Sequence, residues 1–138
     1  MNLSSGKYVI YFNIGDKMDK AIFQKLFIKL FSSRQIAHNE HLKTDLHTAH
    51  VALQEYYEGI LDLTDDLIET YQGQFGLIDP IDDLFLNCED IVEYLSAFAL
   101  EINNLSVKIP AQGQHLSNIM QEITALMYKT LYKLKYLK

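Results

Sequence analysis

The 138-residue sequence contains one cysteine, two prolines and six glycines. A lone Cys88 excludes an internal disulfide and any paired-cysteine metal or redox motif, and it suits a reducing cytoplasm. Glycine and proline punctuate the chain around Gly6, Gly15, Gly73–Pro80 and Ile109–Gly113. The stretches between are free to run as long helices. No apolar run approaches the ~18–20 residues of a membrane span. The apolar segment Tyr8–Ile14 includes two tyrosines and an asparagine. Its β-branched and aromatic content reads as an extended arm within residues 1–15, not as a signal peptide. Basic residues are missing from a long window: between Thr44 and Val107 there is no lysine or arginine, while the window carries fourteen acids. Such a stretch is either a solvated acidic face or a surface that attracts cations. There is no internal repeat and no low-complexity tract.

What remains is helical in pattern. The length fits a single domain spanning residues 1–138. A first helix starts near Asp16–Asp19 and carries Ile22, Phe23, Leu26, Phe27 and Leu30 on one face, running to about Leu42. Thr44 or Asp45 is placed to cap a second helix, unless the two run on as one bent helix. That second helix ends at Gly73. Its inward stripe is Leu53, Tyr56, Ile60, Leu63, Thr64, Leu67 and Tyr71, spaced at the helical angle. A third helix is expected over Asp82–Leu105 and a fourth from Gln112 onward. The fold class is therefore all-α: an antiparallel four-helix bundle with short connections.

Four of the five histidines lie within His38–His50, at positions 38, 41, 47 and 50. On the second helix His50, Gln54, Leu61, Asp65 and Glu69 share a strip beside the apolar stripe, with His47 and Glu58 next to it. On the first helix His38 and His41 fall near the line of Phe23, Phe27 and Leu30. Asp65 and Glu69 are one turn apart, about 6 Å. Imidazole with carboxylate is a ligand set suited to iron, manganese or zinc. The competing reading is a solvated acidic flank with incidental histidines.

The spacing His38-x11-His50-x3-Gln54-x10-Asp65-x3-Glu69 resembles the ferroxidase signature of the Dps-type miniferritins, ferritin-like proteins named for DNA protection in starved cells. Four of the five positions match without a gap, and the likeness covers Phe23–Gly76, a little over a third of the chain. "QGQFG" sits where that family tends to end its second helix. "AHVALQEYYEGILDLTDDLIE" (Ala49–Glu69) is also similar to small ferritin-like proteins encoded by bacteriophages. The resemblance implies a ferritin-like bundle assembled into a homo-oligomer, commonly a dodecameric shell, in the cytoplasm of a bacterial or phage-infected cell. It implies iron, with zinc or manganese as stand-ins, held between two subunits. Ferrous iron would be oxidised there, preferentially by hydrogen peroxide, and stored inside as mineral. Asp65 and Glu69 would come from one protomer, His38, His50 and Gln54 from the other. The intra-bundle ferritin site needs E-x-x-H on inward faces, and no E-x-x-H occurs here.

Two positions depart from the family pattern. Gln54 replaces an aspartate and removes one anionic ligand. Asn39 replaces the tryptophan that often follows the first histidine. A bundle that keeps some ligands without turnover, a structural or interaction protein, is therefore the alternative. DNA is a further partner to weigh, because Lys129–Lys138 holds four lysines and two aromatics, although the end of a solvated amphipathic helix has the same pattern. His41 and His47, outside the metal pattern, read as solvated groups, as groups behind the ligands that support them, or as a pH sensor.

Overall fold

The computed structural model describes residues 18–138, so the arm expected over Tyr8–Ile14 lies outside the described residues. Four helices make up the described chain: α1 (Lys20–Lys43), α2 (His47–Phe75), α3 (Ile91–Ser106) and α4 (Gln114–Tyr136), with one 3₁₀ turn at Ala111–Gly113 before α4. The all-helical expectation holds for these residues. Asp19 caps α1, its carboxylate accepting from the Ala21 amide at 2.7 Å, which satisfies one of the free donors of a helix start. The break after Lys43 is real, and α1 and α2 are separate helices. Neither Thr44 nor Asp45 is the N-cap of α2: that position is Leu46, and Thr44 Oγ1 accepts from the Leu46 amide itself at 3.2 Å. α2 passes through Gly73 and ends at Gly76, whose φ of 98° is open to glycine at no steric cost.

One core joins all four helices. Leu53, Tyr56, Ile60, Thr64, Leu67 and Tyr71 of the expected inward stripe are buried, and Leu63 is half-buried against them. Tyr71 stacks on Phe23 at 4.6 Å and meets Phe27 edge-on at 5.7 Å. Its hydroxyl donates to the Met18 carbonyl at 2.9 Å, which ties the start of α1 to the end of α2. Lys133 to Glu55 at 2.6 Å and His115 Nε2 to Gln74 Oε1 at 2.6 Å fix two separate stretches of α2 and α4 against each other. Gly59 lies at this contact: a Cβ there would come within 3.1 Å of Leu126. Ser106 and Ser117 share a buried hydroxyl contact of 2.7 Å where α3 turns into α4.

The third helix is shorter than expected. It begins at Ile91, where the Asp90 carboxylate accepts from the Val92 and Glu93 amides, so Asp82–Asp90 is not helical. The connection from α2 to α3 is therefore long, residues 76–90, and geometry explains why. Lys20 Nζ donates to the Leu77 carbonyl, Ser32 Oγ accepts from the Phe85 amide, and Asn39 Nδ2 donates to the Leu86 carbonyl. The connection thus climbs beside α1 from Lys20 to Asn39. Those nineteen helical steps rise roughly 28 Å, and the nine steps from Leu77 to Leu86 reach about 30 Å only if extended. A helix of nine residues would cover less than half that distance. Asp83 takes φ 56° in this segment, a left-handed conformation aspartate tolerates better than most residues. Between α1 and α3, which touch least of the neighbouring pairs, grooves of about 320 and 460 Å³ remain, bridged by the Lys29–Glu101 ion pair at 2.7 Å.

Candidate functional site

The histidines gather where α1 hands over to α2. His38 and His41 are one turn apart on the last part of α1, and His50 and Tyr57 are two turns apart on the first part of α2, each pair on one helix face. The antiparallel hairpin brings both faces together. His38 lies flat on Tyr57, rings 4.2 Å apart and 18° from parallel. His41 meets His38 at 5.8 Å and Tyr57 at 5.3 Å, both edge-on. Its other side stacks on His50 at 3.6 Å. Arg34, the chain's single arginine, stands over the Tyr57 ring at 5.9 Å, a cation–π arrangement. His41 is buried; His38, His50, Tyr57 and Arg34 are half-buried.

Hydrogen bonds lock the hairpin further. His41 Nδ1 donates to the His50 carbonyl at 2.7 Å, and His50 Nδ1 donates to the His41 carbonyl at 3.0 Å. A carbonyl has no proton to give, so both Nδ1 atoms carry hydrogen. About two helical turns along the hairpin, Tyr56 and Ser33 hydroxyls meet at 2.7 Å. Ser33 spends its proton on the Leu30 carbonyl at 2.8 Å, so Tyr56 is the donor between them. Burial pushes the Tyr56 phenol far above its ordinary range, against a smaller lowering by Ser33.

The acids behave differently. Gln54, Asp65 and Glu69 are exposed. The strip expected at a buried edge of the bundle is open on its acidic side, and no desolvation cost falls on either carboxylate in one protomer. Among the described residues neither Asp65 nor Glu69 has an ion-pair partner; the pairs present are Lys29–Glu101, Lys43–Glu40 and Lys133–Glu55. Along α2 the fifteen residues from His50 to Asp65 span roughly 22 Å. One protomer therefore brings His38 and His50 into one cluster, and Asp65 and Glu69 into another, and does not join the two. Among the described residues no group of three or more histidine, cysteine, aspartate or glutamate side chains is placed to hold a metal ion. Burial first, and Glu40 next, raise the Cys88 thiol above its ordinary value, which disfavours the thiolate that binds metals.

Sequence reasoning missed Tyr57 and Arg34 as members of the histidine cluster, and it placed His41 beside His38 without assigning it a contact. The signal was the i, i+3 spacing of His38 and His41 with the seven-residue spacing of His50 and Tyr57. Asn39 has a different task from the tryptophan expected there: it holds the crossover through the Leu86 carbonyl and accepts from Gln35 at 3.1 Å.

The described chain is thus a helical bundle with a self-bonded histidine cluster at one end of α2 and a free acid pair toward the other. Residues 41–134 match a family of unknown function, DUF5856, and the chain belongs to that family. The matched span takes in His41, His50, Gln54, Asp65 and Glu69 and starts three residues after His38. No curated protein and no solved structure matches the chain. No helix among the described residues is long and apolar enough to cross a membrane.

Proposed function

We propose that the protein is a Dps-like, ferritin-fold oligomer that takes up ferrous iron between two copies of the chain and oxidises it for storage. The observation that carries this reading is the division of donors along α2: imidazoles at one end, unpaired carboxylates roughly 22 Å away. Two antiparallel copies of α2 would set the histidine end of each against the acid end of the other, near Glu58 as the midpoint. His50, Gln54 and His38 of one copy would then face Asp65 and Glu69 of the next. The helix order supports the ferritin-like comparison, since an α1–α2 hairpin, a long crossover and an α3–α4 hairpin follow one another. The donor set fits the cation as two halves. His50 keeps Nε2 unprotonated in its neutral form, and the acid pair supplies two negative charges.

Two readouts test the proposal. Ferrous iron added anaerobically and then treated with hydrogen peroxide is expected to give ferric absorbance faster than buffer alone, and light scattering is expected to find an oligomer. A stable monomer without turnover contradicts it.

Gln54 favours a second reading, a structural or interaction protein with the same bundle and no turnover. It lacks the charge of the aspartate it replaces and has no hydrogen-bond partner among the described residues. An oligomer that binds iron weakly and leaves its oxidation rate at the buffer value would select this alternative.

A further inference from the structure

We infer that His41 is the positioning residue of the histidine half-site: with His50 it forms a reciprocal clasp that fixes His50 as the Nδ1–H tautomer and leaves its Nε2 lone pair free for a cation. The inference rests on the shared-site reading for what occupies that lone pair. It stands by itself for the state of the ring.

Three observations carry it. Each ring donates through Nδ1 to the other residue's backbone carbonyl, at 2.7 and 3.0 Å. The two rings stack at 3.6 Å and 22°, so neither can swing without separating from the other. Among the described residues the Nε2 of His50 has no hydrogen-bond partner, since its ring's contact is through Nδ1. A histidine that gives one ring N–H to a carbonyl presents the other nitrogen as a ligand, and such outer partners orient the ring and raise its basicity. Here the carbonyl belongs to another histidine that is held the same way. His41 is the more buried of the two, and its ring also touches His38 and Tyr57 edge-on. One side chain therefore braces both imidazoles of the half-site. The backbone carbonyls of His41 and His50 also close the turn between α1 and α2, so the clasp couples ligand orientation to the hairpin.

The direct test is nitrogen NMR of the histidine rings in the metal-free oligomer, at a pH about two units above the ordinary histidine value of ~6.5. Both His41 and His50 are expected to show protonated Nδ1 and unprotonated Nε2. A protonated Nε2 on His50, or averaged signals from both nitrogens, overturns the inference without need of any variant. His41→Phe keeps a ring in the stack and removes the donor; His41→Asn keeps a donor and removes the ring. The carbonyl that accepts from His50 Nδ1 is backbone and survives both changes, so the variants test the brace. His50 is expected to lose its fixed ring orientation and show averaged nitrogen signals in His41→Asn, which has no ring to stack, while unchanged His50 signals in both variants would show that the His41 side chain does not position it. Zn²⁺ alone is the binding probe, being diamagnetic. It is expected to shift Nε2 of His50 and to bind ~10- to 100-fold more weakly to His41→Phe. If the wild-type tautomers are as inferred and Zn²⁺ leaves them unmoved, the clasp stands and the shared-cation reading fails, so the two are separable.

Discussion

The two ends of α2 differ in how much of their chemistry one chain completes. At the start, His50, Tyr56 and Tyr57 are all engaged, by rings from α1, by carbonyls and by the Ser33 hydroxyl. Toward the end, Tyr71 is as deeply packed on the inward side, yet Asp65 and Glu69 on the outer side touch no cation among the described residues. The difference teaches where to look for stability and where for function. Groups satisfied within the protomer hold the fold. Groups left open are available to something outside it.

Substitutions at the open end should therefore cost activity and spare the fold. Asp65→Asn with Glu69→Gln is expected to bring peroxide-driven iron oxidation down to the buffer rate. Its unfolding free energy in urea should stay within about 0.5 kcal/mol of wild type, as for exposed sites generally. At the closed end the balance reverses. Leu53→Ala, fully buried beside the histidine cluster, should cost ~2–5 kcal/mol in urea unfolding. Ser33→Ala removes the acceptor of the buried Tyr56 hydroxyl and should cost ~1–3 kcal/mol. If the acid-pair variant proves as destabilising as these two, the contrast between the ends breaks.

Alkaline titration sharpens the same contrast. Burial raises the folded-state value of Tyr56, and burial chiefly raises that of Tyr94. In the unfolded chain both phenols release their protons near pH ~10, while the folded protein retains them. The unfolded state then binds fewer protons, so stability falls as pH rises past ~10, by up to about 1.4 kcal/mol per pH unit for each tyrosine. Tyr56→Phe should flatten that fall, measured as thermal midpoint against pH. The smallest effect is expected at Gln54. Gln54→Asp restores a negative charge on the open strip and should tighten ferrous iron binding about tenfold, or ~1.4 kcal/mol, read by anaerobic calorimetry.

Much of this arrangement was legible in the sequence, and the failures share a cause. The start of α1 at an aspartate and the inward stripe of α2 follow from local periodicity and capping, and both appear where expected; of the two readings open near Thr44, a break and one bent helix, the structure has the break. Gly73 was a plausible helix end. The chain instead stops at Gly76, where the turn requires positive φ, while the Gln72 side chain accepts from the Ile78 amide. Leu84 has helical spacing with Cys88 and Ile91, yet it lies in non-helical chain. The span this segment must cover is set by the length of α1, a tertiary quantity that no local pattern records. The candidate site divides the same way. His38 and His50 were found from spacing. The role of His41 depends on which carbonyl its ring meets across the hairpin. The exposure of Asp65 and Glu69 depends on how far the neighbouring helices reach around α2.

Subunit complementation tests the shared site most directly. One variant carries His38→Ala and His50→Ala and keeps its acids; the other carries Asp65→Asn and Glu69→Gln and keeps its histidines. Each alone is expected to be inactive toward ferrous iron and peroxide. Co-assembled from mixed, refolded subunits, they should regain activity, because every mixed pair has one site with intact histidines from one chain and intact acids from the other. Activity that stays at the buffer rate in particles shown to contain both chains would contradict a site built between two copies.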